Sequence, residues 1–321
     1  MSSIELVVMI DQESEKDLRK IEENYLSDFC QKTGIKTFHR AGIFWQSMAM
    51  RLFVPTPTNS PISLSSEDLS FMWKQGAWFV HFPVSIDFPG VSSYAFVVQD
   101  KNYGFGSIKS SDRRHNIRRA FKYCSVERVS FELLKNEAAP LIADTYLRQG
   151  RDCGRNILDG WQSYFTVAAT NPLFSAWGAF VKGALAATKV EFIFRNGVQV
   201  EALFSSTDLL KYYPMNALLF VSTQQSINME GISYVSYGMR PVTGEKESLM
   251  SFKESMGFEK LAINERLELN PYLKPFFNSF LSLAARKVSE PLLDRSKYAR
   301  IITGIVLELR EQRKYVRSSL C

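Results

Sequence analysis

GISYVSYGMRPVTGEKESLMSFKESMGFEK, residues 231–260, lays out a strand, a helix and a second strand with a lysine at a defined place. Ile232 to Tyr237 spells a short buried strand, and Gly238 to Thr243 is loop. Thr243 or Gly244 opens an acid-first helix on which Leu249, Phe252, Lys253 and Met256 share one flank, and Gly257 fits a left-handed stop. Phe258 starts a further strand.

The order of elements upstream gives this unit its setting. Val126 to Ser130 has the pattern of a strand, and Phe131 to Leu147 carries Leu134, Ala138, Leu141, Ile142 and Thr145 at helical spacing. A helix over about 160–170 is stopped by Asn171-Pro172. Ala176 to Val181, Ala186 to Arg195 and Val198 to Ser205 follow as strands, the last two joined at Asn196-Gly197, a strong hairpin signal. Met215 to Met229 is a helix with Pro214 in its first turn.

A helix bearing Phe252-Lys253, three further residues and Gly257-Phe258, set after a strand in this order of elements, resembles the C-terminal part of GNAT-superfamily acyltransferases, in the FemAB-like and BioF2-like branch. A second match is the basic segment at 111–122, SDRRHNIRRAFK, similar to the basic helix that precedes the second GNAT-like domain of FemAB-like proteins. The resemblance covers about 124–270. It implies an α/β protein of the GNAT fold built as two tandem halves: a degenerate half over 1–108, a connecting helix over 109–123, the second half over 124–270, and a basic helical tail over 271–321. The N-terminal half is read from a strand at Ile4 to Met9, a helix over Glu13 to Gln31 closed by Gly34, a short helix near Glu67 to Lys74, and strands at 48–54, 78–82 and 94–98.

In the connecting helix Ser110 or Ser111 caps and Asp112 faces the positive end, while Ile117, Ala120, Phe121 and Cys124 form a buried stripe. Arg114, Arg118 and Lys122 fall on another stripe at i, i+4, i+8. Either an anion meets that stripe or it is a solvated basic face. The formal net charge is +6, and the tail after Asn270 adds to the basic surface. Such surface suits phosphorylated donors, anionic lipid head groups or nucleic acid without choosing among them.

Composition narrows the chemistry. With 45% hydrophobic and 22% charged residues over 321 positions, the chain is expected to form two globular domains. The N-terminus has no positive region before an apolar one, no apolar run reaches membrane-spanning length, and a cytoplasmic location is expected. The four cysteines lack metal-ligand or disulfide spacing, His39, His81 and His115 lack it too, and no GxSxG surrounds a serine. No metal is therefore expected. A two-residue turn at Asn196-Gly197 would pair Phe192 with Glu201 and Glu191 with Ala202, placing the two glutamates on opposite sheet faces and excluding a carboxylate pair.

Acyl transfer without a covalent intermediate remains. It needs an acceptor held against a carbonyl, a base, and a donor for the developing oxyanion. The resemblance implies that Lys253 is the cation near the reacting carbonyl or a substrate phosphate. Glu201 is the candidate base, and Tyr237, with Tyr212 and Tyr213, is a candidate donor or stacking ring. GNAT enzymes that use acyl-CoA carry a glycine-rich phosphate loop, whereas residues 205–216, SSTDLLKYYPMN, contain no glycine, as is common in FemAB-like proteins. Lys211 and the amides after Pro214 become the candidate anion site. The donor is expected to be acyl-CoA as a co-substrate or an aminoacyl-tRNA, with no permanently bound cofactor. The acceptor is a small molecule or a cell-wall precursor, and peripheral contact with an anionic surface is open. The alternative is a GNAT-fold binding module without turnover that holds an anionic partner.

Overall fold

In the computed structural model, residues 15–57, 60–239, 247–275, 304–305, 308–309 and 312 are described. In chain order the elements are α1 (Glu15–Lys32), β1 (Thr37–Arg40), β2 (Ile43–Ser47), β3 (Leu52–Thr56), α2 (Ser66–Lys74), β4 (Phe79–Val84), β5 (Val91–Val98), α3 (Ser111–Ala120), β6 (Cys124–Val129), α4 (Phe131–Glu137), α5 (Ala139–Arg148), α6 (Arg155–Ala168), β7 (Phe174–Val181), β8 (Ala184–Phe194), β9 (Gly197–Ser205), α7 (Pro214–Ile227), β10 (Tyr234–Met239), α8 (Glu247–Ser255) and β11 (Glu259–Leu269). The expected strand at Ile4 to Met9, the opening of the helix at Thr243 or Gly244, and most of the basic tail lie outside the described residues.

Two compact units emerge, interleaved along the chain. One comprises residues 1–34, 96–237 and 248–259, the other 35–95, 238–247 and 260–321. The boundaries fall inside β5, between Ala95 and Phe96, and at the first residue of α8, between Glu247 and Ser248.

In the first unit β6, β7, β8 and β9 form an antiparallel meander, and β10 adds parallel to β9. Strands of this length with both faces covered carry apolar side chains at nearly every position, as β7 and β8 do. Residues from α7 cover one face, where Leu218 packs on Trp177, Ala179 and Ala187. On the other face Phe174 stacks on Phe29 of α1 at 4.3 Å and meets Tyr164 of α6 edge-on at 5.8 Å. In the second unit β1, β2, β3, β4 and β11 pair in that order, with α2 held by a Ser65–Asp68 capping box. The hairpin β1–β2 lacked a strong sequence signal: its turn is Ala41-Gly42, both at positive φ.

Three expectations need correction. Residues 131–147 are two helices, since Pro140 starts α5 afresh after Ala138. Phe121 lies outside the buried stripe, 42% exposed, because the helix ends at Ala120. The β8–β9 turn is Arg195-Asn196, with Arg195 at φ 55°, so Phe194 pairs with Gly197 and Phe192 with Gln199. Gly197 serves the close approach of the Tyr234 ring, whose atoms lie 2.1 to 2.4 Å from where a Cβ would stand.

Gly257 stops α8 as expected, at φ 83°, and a Cβ there would also meet the Ser107 carbonyl oxygen at 2.8 Å. The meander buries an ion pair completely: Lys189 Nζ lies 2.6 Å from Glu191 Oε1. Glu191 also accepts from Trp177 Nε1 at 2.8 Å, Ser226 Oγ at 2.8 Å and Ser175 Oγ at 3.1 Å, while Lys189 donates to Ser222 Oγ at 3.0 Å.

Candidate functional site

Strands β9 and β10 are paired only at Gly197–Tyr234, Val198–Val235 and Gln199–Ser236, although both run further. At the next step the β8–β9 register shifts, with Val190 opposite Ala202 and Glu191 opposite Val200. Glu201 is the unmatched residue of a bulge. A bulge bends its strand and re-aims a side chain, so β9 leaves β10 where Glu201 sits. The splayed strand ends, with Tyr237 on β10 and the start of α7 after β9, frame the site.

Lys253 closes it. The sequence places this lysine on the same flank as Met256, and the fold takes it inward: it is only 3% exposed. Its Nζ stands 4.4 Å from the centroid of Tyr237 and 4.8 Å from that of Phe96. Aromatic faces carry negative charge and hold an ammonium in a partly desolvated place, an interaction of about 0.5–2 kcal/mol. Tyr237 in turn is set edge-on against Phe258 at 5.5 Å.

A second cation lies one residue away along α8. Arg113 of α3 sits over the Phe252 ring at 4.9 Å, donates from Nε to Ser255 Oγ at 3.1 Å and from an Nη to Asn216 Oδ1 at 3.3 Å. Burial lowers its pKa from the ordinary arginine value, so the charge is held partly dry. Asn216, in the first turn of α7 and 4% exposed, has a buried Nδ2 with no hydrogen-bond partner. Arg113, the Asn216 amide and the α7 N-terminus therefore form one group, on a stretch of α8 adjoining Lys253 in sequence, and this set suits a negative charge on a ligand.

Of the residues singled out from sequence, Lys253 and Tyr237 come together here. Tyr213 is next to the site: it caps α7 in the left-handed conformation, φ 56°, with Arg119 over its ring at 5.5 Å. Tyr212 packs against Ala120, Cys124 and Ala217, and Lys211 is exposed with Nζ 5.4 Å from the Tyr212 ring. The basic stripe is directed elsewhere. Arg114 donates to the carbonyls of Ile108 and Lys109, Arg118 lies over Phe105 at 5.1 Å, and Lys122 is exposed. The arginine that reaches the site is Arg113, four residues before buried Ile117 and seven before buried Ala120; that spacing placed it on the inward stripe, which is the signal that identifies it.

Glu201 has different surroundings. Its Oε1 accepts from Gln199 Nε2 at 3.0 Å, and the charges it acts on are Tyr164 of α6 and Cys30 of α1. Desolvation raises its carboxyl to about 7, against the lowering effect of Gln199. Glu201 nonetheless exposes surface to solvent, so it is a titrating carboxyl at the rim of protein mass rather than a sealed one. Glu191, by contrast, bonds to Ser226 of α7, and the two glutamates do lie on opposite faces, through a register other than the expected one. Burial lifts the Cys30 thiol to about 12, with Glu201 adding to the effect, which leaves it unreactive.

At the level of sequence, no family model and no curated protein matches the chain. Solved structures do. FemX superposes with a TM-score of 0.55 over 80% of this chain and 93% of its own, at 10% identity. L-PGS from Bacillus licheniformis gives 0.51 over 79% of this chain and 93% of its own, at 13% identity. Among the described residues no helix is long and apolar enough to cross a membrane. The chain shares the α/β fold of FemX and L-PGS, and the order of its elements from β6 to β11 is the one expected of a GNAT fold.

Proposed function

We propose that the protein is an acyltransferase that moves an acyl or aminoacyl group from a thioester or ester donor to an amine or hydroxyl acceptor. The observation that carries this reading is the buried ammonium of Lys253, held between Tyr237 and Phe96 where β10 separates from β9. An ammonium fixed in a partly desolvated place stabilises the negative charge that the tetrahedral intermediate of acyl transfer develops. The acceptor attacks the donor carbonyl carbon, the oxygen becomes an oxyanion beside Lys253, and collapse expels the thiolate or alkoxide, which takes up a proton. Arg113, Asn216 and the α7 N-terminus hold the donor's phosphate or carboxylate, with Lys211 and Tyr213 at the margin. Tyr237 orients the ammonium.

Glu201 is assigned as the base that relieves the attacking amine of its proton. With its carboxyl at about 7, kcat/KM is expected to rise with pH through that value as the carboxylate forms, and Glu201→Gln should remove this limb. An unchanged pH profile in Glu201→Gln returns the carboxyl to a passive surface role. The sign for stability is opposite. A carboxyl raised in the folded state favours folding below its ordinary value and loses that contribution as pH rises toward 7, an effect that solvent screening at this exposed residue keeps small.

Donor class is tested by thermal melting with acyl-CoA esters, aminoacyl-tRNA and nucleotide-linked cell-wall precursors. A ligand at about 100 times its Kd adds roughly 2.7 kcal/mol, several degrees for a chain of this size. A donor that stabilises and is consumed when an amine is added supports transfer. Stabilisation by an anionic ligand that is never consumed favours the second reading, a binding module, to which the glycine-free segment at 205–216 lends weight.

A further inference from the structure

The second unit holds a cluster that acyl transfer does not use. His81 on β4, Glu265 on β11 and Glu308 in the helical segment near the C-terminus bring one nitrogen and two carboxylate oxygens within 4.8 Å of one another. All three residues are buried, at 4%, 0% and 4% exposure. Leu267 pairs with His81 across the strands, so Glu265, two residues along, is its diagonal neighbour on the same face. On that face Ile305 packs with Phe79, Leu267 and Leu269, and Glu308, three residues after Ile305, lies with the two polar groups.

Two carboxylates and one imidazole are a donor set for a divalent cation. They stand beside a layer of leucine, isoleucine and phenylalanine. Buried carboxylates need positive charge or donated hydrogen bonds, and one cation satisfies the nitrogen and both carboxylates together. The spacing fits. His81 Nε2 and Glu265 Oε2 are 3.2 Å apart, a hydrogen-bond distance that is also close to the roughly 3.3–3.5 Å between two ligands of a tetrahedral ion bound at about 2.0–2.2 Å. Ser93 Oγ donates to the other oxygen, Glu265 Oε1, at 2.8 Å, which is how a ligating carboxylate is fixed in orientation from outside the coordination shell.

We propose that His81, Glu265 and Glu308 bind a divalent transition metal ion, zinc in the first instance, that ties the C-terminal helical segment to strands β4 and β11. One imidazole among carboxylates suits zinc better than calcium or magnesium, which prefer oxygen alone. The ion's role is structural: all three ligand residues are buried, and the site lies in a unit other than that of Lys253.

The full-length chain, stripped with chelator and dialysed against micromolar zinc chloride, should retain one zinc per chain and melt higher than the stripped protein. Cobalt in place of zinc should give visible absorption in the range and strength of a tetrahedral nitrogen–oxygen site, a readout that needs no variant. His81→Gln and Glu308→Gln should each lower zinc affinity by ten- to a hundredfold or more and abolish the metal-dependent rise in melting. Wild-type protein that retains no zinc and gives no cobalt spectrum overturns the proposal. So does a Glu308→Gln variant that melts higher than wild type without metal, since that would show two carboxyls sharing a proton.

Discussion

Lys253→Met is expected to lower turnover by on the order of a hundredfold or more while the melting temperature changes little. Methionine keeps the length and most of the volume of the lysine stem, so the contacts of α8 with the sheet survive. What disappears is the charge. Removal of one preorganised oxyanion donor costs about 2.7–4 kcal/mol in the transition state in enzymes of this kind of chemistry, which is a hundred- to a thousandfold. Because the group is argued to act on a charge that develops only during reaction, kcat should fall and KM should stay near its wild-type value. The loss of the interaction with Tyr237 and Phe96 is offset by burying a neutral side chain instead of an ammonium. Turnover near wild type would leave Lys253 as a structural cation and remove the main support for catalysis here. A rise in KM alone, with kcat untouched, would place the lysine in ground-state binding of an anion.

The fold was legible because its governing signals are local. Pro214 and Pro172 punctuate helices, Gly257 ends α8 in the left-handed region, and short apolar runs mark β7, β8 and β9. Lys253 was legible for the same reason, as its place on α8 follows from four neighbouring residues. Three things resisted. The hairpin turn moved by one residue because Tyr234, from a strand 37 positions downstream of Gly197, occupies the space over that glycine, and no local rule reports so distant a ring. The bulge at Glu201 depends on that register and was hidden with it. Arg113 is masked in the sequence by the more regular stripe of Arg114, Arg118 and Lys122, although its spacing to Ile117 and Ala120 puts it on the inward face. His81 and Glu265 stand 184 residues apart, so sequence spacing excluded a metal only for ligands close in the chain.

Replacement of Lys189 by methionine is expected to cost about 3–5 kcal/mol, the largest stability effect in the first unit. Desolvation pulls the Lys189 ammonium down, and the coulombic and hydrogen-bonding action of Glu191 opposes it. For Glu191 desolvation pushes upward, but the Lys189 charge and the hydrogen bonds from Lys189, Trp177 and Ser226 outweigh it, and the carboxyl is held below its ordinary value. The ionised pair is the state favoured by this geometry, since Glu191 accepts from four side chains. In Lys189→Met three neutral donors remain, yet a carboxylate is left buried without its counter-charge, and that is why the cost exceeds the value of one hydrogen bond. Urea titration measures it as a lower midpoint with an unchanged slope. The pH dependence follows from the direction of the Glu191 shift. A depressed carboxyl lends stability above its ordinary value and loses it as pH falls through the folded value, so wild type should resist mild acid. Without Lys189 the carboxyl rises, the folded state takes up a proton more readily than the unfolded chain, and the variant should regain part of its deficit on acidification. A deficit below about 1 kcal/mol, or one that deepens in acid, would mean that Glu191 is already protonated in the folded protein.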